Sequence, residues 1–140
     1  MRRPAAMTGI ALLAFIGTGR PLRGQSWYSI AQADSGADSY YHRCGACHGL
    51  HLGGGKGPAL VGDTFFSHFG GKKMNKLWLM VSTKMPKSAP GLLPRQEALN
   101  IIAYILSENS FPAGDYVSVD QLDVERVVPS QAPHPGEPSR

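Results

Sequence analysis

The segment Cys44-Gly45-Ala46-Cys47-His48 concentrates the reactive side chains of this sequence. Two thiols separated by two residues, with a histidine directly after the second, suit covalent attachment of a haem. The thiols add to the two vinyl groups on one edge of the macrocycle, and the imidazole lies beneath the iron as an axial ligand. One helical turn can present both sulfurs to that edge and still swing His48 under the metal. A Cys-x-x-Cys pair also makes the redox disulfide of thioredoxin-like domains, but that reading needs a βαβ context, which this sequence lacks. There are no other cysteines. That excludes a multi-disulfide scaffold and a cysteine-rich zinc or iron–sulfur site.

A second axial ligand has five methionines to choose from: Met1, Met7, Met74, Met80 and Met85. The first two fall in a leader-like segment. Met85 precedes Pro86 and the loop Lys87-Ser88-Ala89-Pro90-Gly91, where prolines can hold a side chain toward a metal. Met80 reads as core and Met74 sits in a basic, polar stretch. Met85 is therefore the first candidate, with Met80, His51, His68 or an open position as alternatives. Methionine/histidine ligation favours reduced iron and fills both axial sites, which argues against oxygen or peroxide chemistry.

Three helices must position these groups. The first is expected from about Tyr28 to Arg43, with Ala33, Ala37 and Tyr40/Tyr41 on one face. Gly36 inside it costs about 1 kcal/mol relative to alanine and points to close approach by another helix. The second is expected from about Lys76 to Lys84, capped by Asn75, with Leu77, Met80 and Val81 inward. The third starts with Pro94 at its first position. It carries Ala98, Ile101, Ile102, Ile105 and Leu106 at helical spacing, and ends at Asn109-Ser110 before Pro112. A short turn over Thr64–Phe69 is possible between glycine-rich loops. No run alternates apolar and polar residues for long, so the expected class is all-α.

The 140 residues suit one domain. Residues 1–26 hold Arg2, Arg3, Arg20 and Arg23 and no acid, and Ala5–Gly19 is mostly apolar. That apolar run is shorter than the roughly 20 residues of a membrane span and reads as an export signal. The expected location is the periplasm, with membrane attachment only if the signal is retained as an anchor. Residues 27–114 carry the chemistry. Residues 115–140 carry five acids against Arg126 and Arg140, and are expected to be an extended, proline-rich tail, without packed structure from Pro129 onward. The net charge of +4 owes so much to the leader that it is poor evidence for nucleic-acid binding, and none is expected. Lys56, Lys72, Lys73, Lys76, Lys84 and Lys87 could steer an acidic partner. His42, His51, His68 and His134 read as surface residues, and Trp27 and Trp78 as packing.

From Ser29 to Gly114 the chain resembles a class I cytochrome c. It is closest to the monohaem modules and partner cytochromes of quinoprotein alcohol dehydrogenases. The resemblance rests on Gly36-x-x-x-Tyr40-x-x-x-Cys44-x-x-Cys47-His48-Gly49 and Gly54-Gly55-x-Gly57-Pro58-Ala59-Leu60-x-Gly62-x-x-Phe65. It continues through Met85-Pro86-x-x-x-Pro90-Gly91-x-Leu93 and Ala103-Tyr104-Ile105-Leu106, then Asn109-x-x-Pro112-Ala113-Gly114. It implies a small all-α fold wrapped round one covalent haem c, with His48 and Met85 on the iron. It implies that the Pro58 carbonyl accepts the outer N–H of His48, and that Leu60, Phe65 and Ile102 pack on the haem. Gly36 and Tyr40 should cross the last helix near Tyr104. Phe69 stands where the family usually has a tryptophan that anchors a propionate, and Leu93 where a serine or threonine cap is usual. The implied function is one-electron transfer without a substrate site. The implied partners are a quinoprotein or similar periplasmic dehydrogenase, and a terminal oxidase or another cytochrome. The competing expectation is a haem enzyme or gas sensor with an open or displaceable sixth position. The tail is expected to lie along a partner or to be a linker remnant, so that its deletion leaves the haem spectrum intact.

Overall fold

The computed structural model describes residues 26–115, 117–118, 122 and 124–133. The leader-like segment, except Ser26, and His134 lie outside the described residues. Among the described residues five α-helices follow one another: α1 Ile30–Arg43, α2 Gly45–His48, α3 Gly62–Phe69, α4 Met74–Leu79 and α5 Arg95–Glu108. A π-helical turn over Met80–Lys84 continues α4 without a break. Among the described residues there is no strand, only two isolated β-bridges, and no helix is long and apolar enough to cross a membrane.

Ser29 caps α1, which starts at Ile30, two residues later than expected. Its hydroxyl accepts from the Gln32 N–H at 3.2 Å, and the Gln32 side chain accepts from the Ser29 N–H at 3.0 Å. This reciprocal pair is a capping box, which satisfies two donors that a helix start leaves unpaired. Tyr28 pairs with the chain after α5 instead: its carbonyl accepts from Gly114 and its hydroxyl donates to the Phe111 carbonyl. Gln32, Ala33, Gly36 and Tyr40 form the buried face. Tyr41 does not join them. It is 58% exposed, because the face is set by Gly36 and Tyr40, four residues apart.

α1 lies across α5 at Gly36. A Cβ on Gly36 would stand 1.8 Å from the Asn100 carbonyl oxygen and 3.0 Å from the Tyr104 Cβ. Beside it the Tyr40 and Tyr104 rings pack at 5.4 Å. This is the expected crossing. α5 begins one residue later than expected, with Pro94 as its N-cap, and buries seven residues from Ala98 to Leu106. The wide apolar face reflects neighbours on several sides. Trp27, Phe65, Phe69 and Phe111 close the core at one end, with ring centroids 5.0–6.3 Å apart.

α4 begins at Met74 with Lys73 as its N-cap, not at Lys76 with Asn75 as cap. Met74, Leu77, Trp78 and Val81 then form the i, i+3, i+4, i+7 stripe, and all four are buried. Met74 is 1% exposed and Met80 is 37% exposed, which reverses their expected roles. In the π-turn the Ser82 and Thr83 hydroxyls donate to the Trp78 and Leu79 carbonyls at 2.7 Å. Such bonds to the preceding turn loosen regular α-geometry.

Residues beyond Gly114 fold back along the domain. Val117 exchanges two hydrogen bonds with the buried Gln32 side chain. Lys73 and Val127 form an antiparallel bridge, and Val128 is fully enclosed. Packing continues to Ser130, whose Cα would lie 3.1 Å from a Cβ on Gly70. The structureless stretch expected from Pro129 is therefore seated for at least two residues, because Gly70 leaves room for it.

Candidate functional site

Cys44 ends α1 and begins α2. Its N–H bonds the Tyr40 carbonyl, and its own carbonyl accepts from Cys47 and His48 at 3.0 and 2.9 Å. The two thiols and the imidazole thus share one helical turn. No disulfide joins the two cysteines, and Cys44 is half-buried and Cys47 exposed. Burial, with the Glu97 carboxylate adding to it, pushes the Cys44 thiol up to about 11. A redox-active Cys-x-x-Cys pair needs the opposite shift, toward a thiolate near neutral pH.

The residues after His48 close around its ring. His48 Nδ1 lies 2.8 Å from the Pro58 carbonyl oxygen. A carbonyl can only accept, so Nδ1 carries the proton and Nε2 keeps its lone pair for a metal. Gly57 passes under the ring, where a Cβ would lie 2.8 Å from Cε1 and 2.9 Å from Nδ1. No other residue type fits that approach. The Gly54 and Gly57 N–H groups donate to the His48 and Cys47 carbonyls at 2.7 and 2.8 Å, and the Tyr40 hydroxyl donates to Gly49.

Asn109 locks the far end of this loop, a role not read from the sequence. Its side-chain N–H groups donate to the Leu60 and Ile105 carbonyls at 2.9 and 2.8 Å, and its oxygen accepts from the Gly62 N–H at 3.0 Å. Asn109 is 4% exposed, and its bond to Ile105 is buried while those to Leu60 and Gly62 are partly so. The signal was its position: an amide just past an apolar helix, facing a glycine-rich loop. Asn109→Ala is expected to destabilise the protein by about 3 kcal/mol, since two carbonyls and one N–H each lose a buried partner. Asn109→Asp should recover part of this by keeping the Gly62 bond, and thermal melts of the two variants check the order.

The other candidates divide by exposure. Leu60 is half-buried and keeps free surface beside the loop. Phe65 and Ile102 are each 1% exposed, so protein atoms already enclose them. Met85 is half-buried at the end of the π-turn, in extended conformation, and two tight turns follow it, from Ala89 to Pro86 and from Leu92 to Ala89. His68 is exposed and bonds the Thr64 carbonyl, and His42 lies 3.7 Å from Asp38. His51 is exposed. Among the described residues no three His, Cys, Asp or Glu side chains cluster as a metal site of their own.

Of the six lysines, Lys73 pairs with Glu125, and Lys76 donates to the His68 carbonyl at 2.7 Å and lies over the Phe69 ring. Trp27 packs on Phe111 under the Arg126 guanidinium, and Trp78 lies under Arg95. Both tryptophans are packing residues. Phe69 is buried and has no N–H to offer.

These residues fit a covalently bound haem: two thiols on one turn, an imidazole with Nε2 unspent, and a glycine cradle fitted to that imidazole. The family described as "Cytochrome C oxidase, cbb3-type, subunit III" matches residues 31–105, more than half of the chain. No curated protein matches it. Among solved structures the chain is similar to a chain of the sulfane dehydrogenase SoxCD from Paracoccus pantotrophus. The TM-score is 0.56 and the identity 18%, over 81% of this chain and 68% of that one. Cytochrome cL from Methylophaga aminisulfidivorans is 22% identical over 65% of this chain and 74% of that one, with a TM-score of 0.43. The c-type cytochrome NirC is 29% identical over 55% and 96%, with a TM-score of 0.38. Matched over more than half its length, the chain belongs to the family described as "Cytochrome C oxidase, cbb3-type, subunit III", and is a small all-α c-type cytochrome with one covalent haem c.

Proposed function

We propose that this protein is an exported one-electron carrier in which Cys44 and Cys47 would hold the haem through thioethers and His48 and Met85 would ligate its iron. The observation that carries the reading is the 2.8 Å contact between His48 Nδ1 and the Pro58 carbonyl, which orients the ring and reserves Nε2. When bound, the haem supplies the one-electron iron couple. The chain's part is to orient, cover and tune. His48, held by Pro58 and Gly57, has a fixed tautomer and little freedom to rotate. The Met85 thioether, a soft and neutral donor, favours the reduced metal and raises the potential. With both positions filled, water and small oxidants are kept from the metal.

Residues 1–26 act as the export signal, residues 27–114 as the haem domain and residues 115–140 as its extended tail, which places the protein in the periplasm. Resemblance to the monohaem modules of quinoprotein alcohol dehydrogenases supports a periplasmic dehydrogenase as donor and a terminal oxidase or another cytochrome as acceptor. Exposed Lys56, Lys84 and Lys87 would speed encounter with an acidic partner, and more so at low salt.

The test is the optical spectrum of the haem-loaded protein, oxidised and reduced, with and without CO. A low-spin spectrum with the weak far-red band of methionine–iron(III) coordination and no CO shift is expected. A high-spin spectrum, or ready CO binding, would replace the carrier with a haem catalyst or gas sensor.

A further inference from the structure

The helix that leads to Met85 is held at its start by a segment fifty residues downstream. α4 has only six residues and no side-chain cap. A helix start leaves its first N–H groups without partners inside the helix. Here the Met74 N–H donates to the Arg126 carbonyl at 2.8 Å and the Asn75 N–H to the Val124 carbonyl at 2.9 Å. Two and three residues before Met74 the chain is clasped from both sides: the Gly71 N–H donates to the Val128 carbonyl, and the Val128 N–H to the Lys72 carbonyl, each at 2.8 Å. Val128 is fully enclosed, and Gly70 leaves room for Ser130 to follow it.

The same segment is also tied to the residues before α1. The Arg126 guanidinium lies 3.5 Å from the Trp27 ring centroid and donates to the Ser26 carbonyl at 2.8 Å. Trp27 in turn packs on Phe111, just beyond α5. The strap therefore links the N-terminal segment to the start of α4. No loop intervenes between α4 and the π-turn that ends at Met85, so the placement of Met74 bears on that of Met85.

We propose that residues 124–130 are a positioning strap for the sixth ligand: they fix the start of α4 and so hold Met85 in place. This rests on the reading of Met85 as the iron ligand. It also revises the expected role of the tail. Its backbone groups facing residues 71–75 are already used inside the chain, so a partner that engaged them would first have to peel the strap away.

The test uses the full-length haem-loaded protein and two variants, Val128→Asp and the milder Val128→Ala. Three readouts are compared: amide exchange at Gly71, Met74 and Asn75; the far-red methionine band; and CO affinity of the reduced protein. In Val128→Asp, exchange at these three amides is expected to accelerate about tenfold or more, as for any locally released segment. Exchange in α5 at Ile101 and Ile102 stays slow. The far-red band weakens and CO binds, while Val128→Ala shows the same changes to a smaller degree. If Val128→Asp unfolds throughout, Val128→Ala alone decides. Accelerated exchange with an unchanged band and unchanged CO resistance defeats the proposal, since the strap would then cap α4 without positioning Met85. Unchanged exchange defeats it too. A wild-type protein that lacks the band defeats the Met85 reading itself, and the proposal with it.

Discussion

Gly36→Ala is expected to lower the melting temperature by about 10 °C or more, against the propensity of alanine for helices. Two effects compete. Alanine in a helix interior gains about 1 kcal/mol over glycine. The added Cβ, however, would stand 1.8 Å from the Asn100 carbonyl oxygen, and that oxygen belongs to the backbone of α5. A flexible side chain could move aside, but a helix backbone moves only as a whole. Separating α1 from α5 would also loosen the Tyr40–Tyr104 contact and the buried face of α5. Overpacking costs typically 1–3 kcal/mol and more where backbone must shift, so the crossing wins by about 2 kcal/mol. Gly53→Ala is the matched control, because nothing lies within 4 Å of a Cβ there. Circular-dichroism melts of the haem-loaded variants check the pair. Equal melting temperatures would mean that the helices do not press together at Gly36. The site feels the same change, since α1 runs straight into Cys44.

The attachment motif is legible because it is local, whereas Gly36 announces only some close neighbour, and the last helix near Tyr104 is what the family resemblance implies. A glycine inside a helical pattern announces a close neighbour, and Cys44, Cys47 and His48 need only one turn to come together. Pro58 was reached through family resemblance, and the structure puts its carbonyl 2.8 Å from His48. The misplaced elements share one cause. Asn75 is a good cap, which points to a helix start at Lys76 and hides Met74 from the apolar stripe. The stripe Met74, Leu77, Trp78 and Val81 is present in the sequence, and Met80 falls well away from its centre. What could not be read locally is the true cap of α4, carbonyls from Val124 and Arg126 at the other end of the chain. Asn109 was missed for a similar reason. Its three partners come from α5, Leu60 and Gly62, and no spacing rule joins them. Tyr41 was put inward beside Tyr40, but one residue is about 100° of helical turn, enough to carry it into water.

Met85→Ala is expected to open the sixth position while leaving the fold intact. Met85 is half-buried at the end of the π-turn, so its loss removes little core. Its chemical effect is far larger. Without the thioether the oxidised protein loses the far-red band and the reduced protein binds CO. The potential falls by about 0.2 V or more, within the roughly 0.8 V that axial ligands span. The other two methionines give opposite controls. Met80 is partly exposed and off the buried stripe, so Met80→Ala should leave spectrum, potential and melting temperature nearly unchanged. Met74 is enclosed beneath α4, so Met74→Ala should cost about 2–5 kcal/mol of stability, with the band retained wherever the protein stays folded. If Met80→Ala abolishes the band and Met85→Ala does not, the ligand sits on the turn rather than after it. The arm from α4 would then deliver Met80 in place of Met85. The three variants separate ligation from packing, because only the ligand changes CO binding without first changing stability.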